Sequence, residues 1–374
     1  MKAIGLLSGG LDSTLAVKII MDMGIEVVAV KYTSPFCQCD SGGCCHAAEV
    51  ARQLGVPLKT VPKGDDYLEV VRHPRHGYGT AVNPCIDCRI FMFSKAKALL
   101  DELGAAFLFT GEVLGQRPMS QHRRAIDLIE RESGLEGKIV RPLSAQHFEP
   151  TEAERNGWID RAKLLDIHGR GRRPQLALAS TFGIEGFGCP AGGCLLTDKH
   201  FAAKLRDLFA HQERVVMQDI ALLKLGRHFR AGAGEENAKT QENGPESGEK
   251  GNAKTQSRKG GNGQESGDKG NVKPQSRKGF KMVCARDEAE GRALRLRAKE
   301  GDAVLDPLDC AGPVVLLQGG ADDAAALAVA AEIVAAYCDG ASPDVRVQVS
   351  AGGALSELSA PRIARDAIRA ERIL

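Results

Sequence analysis

The chain opens on an apolar run, Ala3-Ile4-Gly5-Leu6-Leu7, passes through a polar turn, Ser8-Gly9-Gly10, and continues with Leu11, Ala16, Val17, Ile19 and Ile20 at helical spacing. This pattern predicts a buried strand, a tight turn and an amphipathic helix. It recurs as a strand over 25–30, a helix over 47–54, a short strand over 58–61, a helix over 91–103 and a strand over 106–110. Strands that alternate with helices imply a parallel sheet with right-handed crossovers, whose ligands gather at the carboxyl ends of the strands. Ser8, the loop at Cys37 and Gly111 all follow strand ends, so they are expected on one rim. Further helices are expected near 122–132, 158–167, 175–182 and 201–209, with an apolar stretch at 139–143.

The pattern then changes. Residues 222–230 read as a strand with a basic edge, and 280–284 as its hairpin partner. A helix, strands at 303–305 and 313–317, an Ala-rich helix over 323–337 and a strand at 345–349 follow. The fold class expected is therefore α/β: a parallel sheet flanked by helices over 1–200, then a smaller α+β domain over 213–350. Residues 232–279 hold no aromatic side chain and repeat one phrase from Asn237, Asn252 and Asn271, which predicts a low-complexity, disordered insertion in the hairpin loop. Such an insertion costs little, because loop-closure entropy grows only logarithmically with length. The tail, 351–374, reads as weakly helical.

A length of 374 residues makes two domains the default, and the net charge of +2 decides nothing about partners. No apolar run reaches the length of a membrane span and no signal-peptide pattern follows Met1-Lys2, so a cytoplasmic protein with no membrane partner is expected. Eleven cysteines in that compartment argue against a disulfide framework. They are grouped: Cys37, Cys39, Cys44 and Cys45 share a loop, Cys85 and Cys88 form a C-x-x-C, and Cys189 and Cys194 bracket Pro-Ala-Gly-Gly. Cys284, Cys310 and Cys338 sit singly among apolar neighbours and read as buried and inert. His73, His76 and His122, beside Arg72, Arg75, Arg123 and Arg124, read as a solvated basic surface able to meet RNA phosphate.

The first turn carries the chemistry. Its paired glycines let backbone N–H groups approach an anion, its serines add donors, and the positive end of the helix dipole points the same way. It has neither the Gly-Lys-Ser/Thr ending of a Walker A loop nor the spaced glycines of a dinucleotide fingerprint. With Asp12 and Ser13 completing it, Ser8-Gly9-Gly10-Leu11-Asp12-Ser13 resembles the PP-loop of the ATP pyrophosphatase superfamily. Asn83-Pro84-Cys85-Ile86-Asp87-Cys88, Thr110-Gly111-Glu112, Leu114-Gly115-Gln116 and Gly192-Gly193-Cys194-Leu195-Leu196-Thr197-Asp198 extend the resemblance to the tRNA thiolation enzymes, the 4-thiouridine synthetases and 2-thiouridylases, over residues 1–200. Residues 213–350 resemble the NFACT-type RNA-binding domain, through Leu222 to Arg230 and the pattern that follows.

The resemblance implies a HUP-like sheet, ATP and Mg2+ as cofactors, tRNA as substrate, and a sulfur donor, sulfide or a persulfide carrier. Ser8, Gly9, Gly10 and Ser13 would hold the departing pyrophosphate, Asp12 would position Mg2+, and Gly111 and Gln116 would line the nucleotide or base side. A uracil carbonyl oxygen leaves poorly, so AMP would be transferred onto it before sulfur displaces AMP. Three readings of the thiols stay open. Cys88 and Cys194 can act as a persulfide-bearing and resolving pair; Cys85, Cys88 and Cys194 can ligate a 4Fe-4S cluster with one iron left open; or the cysteines can hold structural zinc. Cys189 is a possible substitute for Cys194, and the Cys37–Cys45 loop can bind metal, relay sulfur or do neither. Thiols at the start of a helix are expected to have depressed pKa values. Two rival functions remain: a PP-loop adenylating reaction on a small acid, and a non-catalytic RNA-binding protein with a nucleotide pocket.

Overall fold

The computed structural model describes residues 1–38, 46–187, 193–231 and 279–373. The chain divides into two units, one built on Met1–His228 with Ala285–Arg297, the other on Phe229–Cys284 with Ala298–Arg372. The Cys39, Cys44, Cys45 and Cys189 readings, and the insertion over 232–278, lie outside the described residues.

The first unit alternates strand and helix as the apolar pattern predicts: β1 (Lys2–Leu6), α1 (Leu11–Met21), β2 (Glu26–Thr33), α2 (His46–Leu54), β3 (Leu58–Pro62), α3 (Asp66–Arg72), α4 (Cys85–Leu103), β4 (Phe107–Thr110), α5 (Arg123–Ser133) and β5 (Ile139–Val140). The sheet runs β3-β2-β1-β4-β5 and is parallel throughout. Both faces are covered. Ala3, Val27, Ala29, Phe107 and Phe109 pack with Leu11 and Leu15 of α1, while Ile4, Val30 and Leu108 pack with Phe93 of α4 and Ile129 of α5. Burial on both faces is why these strands are apolar runs rather than alternations. The chain moves outward from β1 to β3 and returns on the other side at β4, so the crevice between β1 and β4 is the switch point where a doubly wound sheet takes its ligand.

Four helices follow: α6 (Glu152–Arg155), α7 (Arg173–Phe182), α8 (Lys199–His211) and α9 (Met217–Leu222). Two expectations fail here. The helix predicted over 158–167 is only a single 3-10 turn, Arg161–Lys163, because Leu165 and Ile167 give their N–H groups to the carbonyls of Pro142 and Leu143, at 2.8 Å each. The strand predicted over 222–230 starts late. Asp219 reaches back to the Val216 N–H and nucleates α9, and Gly226, at φ +61°, breaks the chain before the strand begins.

That strand is β6 (Arg227–Ala231), and the elements after it are β7 (Phe280–Cys284), α10 (Glu288–Arg295), β8 (Ala303–Pro307), β9 (Val315–Gln318), α11 (Ala324–Tyr337), β10 (Asp344–Ala351), β11 (Ala354–Pro361) and β12 (Glu371–Arg372). The second sheet has the order β11-β10-β8-β9-β7-β6-β12. Ala330, Ile333 and Val334 of α11 pack on Met282, Leu305, Leu317 and Val347. The tail is not helical: 354–361 pairs antiparallel with β10 around Gly352 and Gly353, whose φ values of +56° and +84° suit the two-residue hairpin turn that paired glycines favour. Among the described residues no helix is long and apolar enough to cross a membrane.

Candidate active site

The turn after β1 is a closed knot of small donors. Ser13 Oγ donates to the Gly10 carbonyl at 2.9 Å, Ser8 Oγ lies 3.1 Å from Ser13 Oγ, and the Gly10 N–H reaches Ser8 Oγ at 3.3 Å. Gly9 sits at φ +80°, and a Cβ there would stand 2.6 Å from the Ala47 nitrogen at the start of α2. Gly111, just past β4, is equally constrained: a Cβ would lie 2.5 Å from the backbone of Asp12 and Ser13. Its missing side chain lets the ends of β1 and β4 close on each other. Ser8, Gly9, Gly10, Asp12, Ser13, Gly111 and Gln116 are thereby brought to one crevice at the switch point.

Gln116 Nε2 donates to Asp12 Oδ2 at 3.1 Å. The other oxygen, Asp12 Oδ1, is shut from solvent and has no hydrogen-bond partner. A buried carboxylate oxygen with an open lone pair, beside an anion cradle, is a donor that suits a hard divalent cation. Behind it stands a network that sequence reasoning missed. Buried Glu112 accepts from Arg141 Nε at 3.2 Å and from Thr110 Oγ1 at 3.3 Å, and Arg89 approaches it at 3.4 Å, while Arg141 also pairs with Glu130. The signal was available in Glu112, a charged residue at the end of a wholly apolar strand.

The thiols are gathered by a different set of contacts. The 193–196 segment is pinned like a strand: the Gln38 N–H donates to Gly193 O at 3.1 Å, Leu195 N–H to Phe36 O at 2.9 Å and Val82 N–H to Leu196 O at 3.0 Å. Cys194 thereby forms an antiparallel backbone β-bridge with Cys37, both thiols staying free, and its thiol sits within electrostatic reach of Cys88 and Lys63. Buried Lys63 donates to Cys88 Sγ at 3.2 Å and lies 4.3 Å over the Tyr67 ring. Tyr67, 1 % exposed, packs edge-on to Phe36 and tilted on Phe91, with Cys88 within electrostatic reach of its hydroxyl. Burial raises the Tyr67 hydroxyl pKa well above its ordinary value, and the Cys88 thiol adds to that rise. Lys63 and Tyr67 carry no motif, and nothing in the sequence marks them.

Three expectations need correcting. Cys85 and Cys88 do not precede a helix; they lie in the first turn of α4, which starts at Cys85. The helix start does not depress the Cys85 thiol, which burial and then Cys88 raise against the opposing pull of Arg89 and the Asn83 amide, 2.9 Å away. Burial likewise pushes the Cys194 thiol up to about 12. His76 is no solvated surface group: its ring nitrogens face Asp87 at 2.9 Å and Glu132 at 3.1 Å. His122 caps α5 by accepting from the Ala125 N–H. Arg117, one residue past Gln116, lies within electrostatic reach of both Asp12 and Cys85. Among the described residues no group of three or more His, Cys, Asp or Glu side chains stands close enough to hold a single metal ion.

The first unit thus carries an anion cradle at the switch point of a parallel sheet and a Cys pair at the start of α4. Residues 1–149 match the family described as thiamine biosynthesis protein (ThiI), and residues 275–370 match the NFACT protein RNA binding domain. Among curated relatives, the tRNA-specific 2-thiouridylase MnmA of Xanthobacter autotrophicus is 32% identical over 133 residues, 32% of this chain and 34% of the relative. That of Syntrophotalea carbinolica is 35% identical over 116 residues, 28% of this chain and 32% of the relative. The chain thus spans about a third of the length of the curated relatives it matches. The solved U34-tRNA thiolase NcsA from Methanococcus maripaludis, with its 4Fe-4S cluster, is 16% identical at a TM-score of 0.31, covering 60% of this chain and 73% of that one.

Proposed function

We propose that the chain is an ATP-dependent tRNA sulfurtransferase, which adenylates a uridine carbonyl and replaces its oxygen with sulfur. The observation that carries this reading is the nearness of thiols to the cradle in the first unit: Arg117 lies within electrostatic reach of Asp12 and Cys85, and Cys85 and Cys194 each within reach of Cys88. A phosphate cradle alone would serve any adenylating enzyme. Thiols on the same rim are what sulfur transfer adds, and the matches to tRNA-modifying relatives and to an RNA-binding domain point to the same substrate.

In this reading the uracil oxygen attacks the α-phosphorus of ATP and pyrophosphate leaves into the Ser8–Ser13 cradle. Asp12 Oδ1 holds Mg2+, which when bound neutralises the charge developing on the phosphates. Sulfur then adds to the activated carbon and AMP departs. Cys85, Cys88 and Cys194 are the proposed ligands of a 4Fe-4S cluster, a soft thiol donor set that suits iron–sulfur chemistry, and such a cluster would supply a Lewis-acidic site for sulfur. Lys63 and Tyr67 fix the Cys88 thiol in place. Residues 1–200 form the thiolation domain and 213–350 the RNA-binding domain of a cytoplasmic enzyme whose sulfur donor is sulfide or a persulfide carrier.

Pyrophosphate release tests the first half-reaction. It is expected from ATP only when tRNA is added. Release driven by a small carboxylic acid without tRNA would contradict the reading.

A further inference from the structure

Two guanidinium groups stand within electrostatic reach of a third, on Arg117. Arg117 lies within electrostatic reach of Arg89, Arg172, Asp12 and Cys85. Its loop is held by the backbone: the Gly115 N–H donates to Gln121 O at 2.7 Å and the Gln121 N–H to Arg117 O at 3.0 Å. The same loop is tied to the segment that carries Arg172, since the Gly169 N–H donates to Leu114 O at 2.7 Å and Leu114 bridges to His168.

The cluster is short of negative charge. Arg89 shares Glu112, at 3.4 Å, with the buried Arg141, 3.2 Å from the same carboxylate. Arg172 Nε is shut from solvent with no hydrogen-bond partner. Among the described residues the Arg117 side chain forms neither an ion pair nor a hydrogen bond, and Asp12 is a carboxylate within its electrostatic reach. Like charges held together at partly buried positions repel, and the repulsion is relieved when an anion sits among them. Burial and the like charge of Arg89 lower the Arg117 pKa, as expected of a cation awaiting a counter-charge. Guanidinium is the group suited to such an anion, because its planar fork grips two phosphate oxygens at once.

We propose that Arg89, Arg117 and Arg172 form a second phosphate site, separate from the Ser8–Ser13 cradle, that takes a single phosphate ester beside Asp12. The ester's identity rests on the function proposed above: it is the RNA phosphodiester next to the nucleotide being modified. The α-phosphate of the bound nucleotide is the other source of the same chemistry. Held there, the ester fixes the target nucleotide between the adenylating carboxylate and the thiols.

Binding to the full chain tests this without any thiolation assay. With an unmodified tRNA transcript, Arg117→Gln is expected to weaken affinity about tenfold and to lower the slope of log affinity on log salt by about one, the signature of one lost phosphate contact. Arg172→Gln should act in the same direction, Arg117→Lys should restore part of the slope, and AMP affinity should stay at the wild-type value. A loss of AMP affinity with unchanged tRNA binding would keep the site and assign it to the nucleotide's own phosphate. Wild-type affinities and slopes for both ligands in Arg117→Gln and Arg172→Gln would overturn it. A wild-type enzyme that makes no thionucleoside, while Arg117→Gln still loses one phosphate contact, would sink the proposed reaction and leave the site standing.

Discussion

In the proposed reaction Asp12 is the cation-binding carboxylate, and its surroundings suit that role. One oxygen is fixed by Gln116 and the other is buried and unpaired, an arrangement that is unfavourable without a cation. Asp12→Asn keeps the shape and removes the charge. It is expected to lower tRNA-dependent pyrophosphate release by about 10²-fold or more, the scale of losing an electrostatic contact to the transition state, while the melting temperature holds or rises. A wild-type rate in Asp12→Asn would remove Asp12 from the chemistry. Cys338 gives a prediction in pH: burial and the thiol of Cys310 push its pKa up to about 12 from 9.0. The unfolded chain then loses this proton first as pH rises, so the native state is penalised between pH 9 and 12 and unaffected below that window. Thermal unfolding should show stability falling through this range, with a shallower fall in Cys338→Ser. At this scale the sequence announced Ser8, Asp12, Cys88 and Cys194, because each belongs to a spaced motif. Lys63, Tyr67 and Arg141 were silent, since a buried charge or hydroxyl is defined by partners far along the chain.

Among the elements, the meeting of β4 with the start of α1 controls the site. Gly111→Ala places a methyl 2.5 Å from the Asp12 and Ser13 backbone, so the turn must shift. Overpacking of this kind costs about 1–3 kcal/mol. Calorimetry should show a lower melting temperature together with weaker ATP binding, whereas unchanged ATP affinity would mean that the cradle does not depend on this contact. The strands around the first turn were legible because two-sided burial makes them apolar; α1 was legible as a helix, but it is buried on nearly every side apart from Asp12, Lys18 and Met21 rather than amphipathic. The stretch at 158–167 misled because its apolar residues serve backbone pairing with 142–143, and a helical spacing does not reveal which N–H groups are already committed. The tail was misread although Gly352-Gly353 is a hairpin signal, since the flanking residues of β11 are mostly exposed and show no apolar face.

For the molecule as a whole, the chain divides into two units, and separate family models match residues 1–149 and 275–370. Residues 232–278 separate β6 from β7, which are neighbours in the second sheet. Replacing residues 233–278 with a short Gly-Ser linker should leave tRNA-dependent pyrophosphate release within about twofold of wild type, because the closure penalty depends weakly on loop length. A larger loss would give the insertion a part in RNA binding. The division into a parallel and a mixed-pattern half was readable from periodicity alone, but the modified base was not, since no side chain in the sequence identifies it. The account as a whole stands on sulfur reaching RNA. Incubating the anaerobic protein with ATP, Mg2+, sulfide and unmodified tRNA, then digesting the tRNA and weighing its nucleosides, is the direct measurement. A uridine heavier by the exchange of one oxygen for one sulfur, formed only with ATP and lost in Cys194→Ser, is the predicted result; tRNA whose uridines keep their mass while ATP is consumed would contradict it.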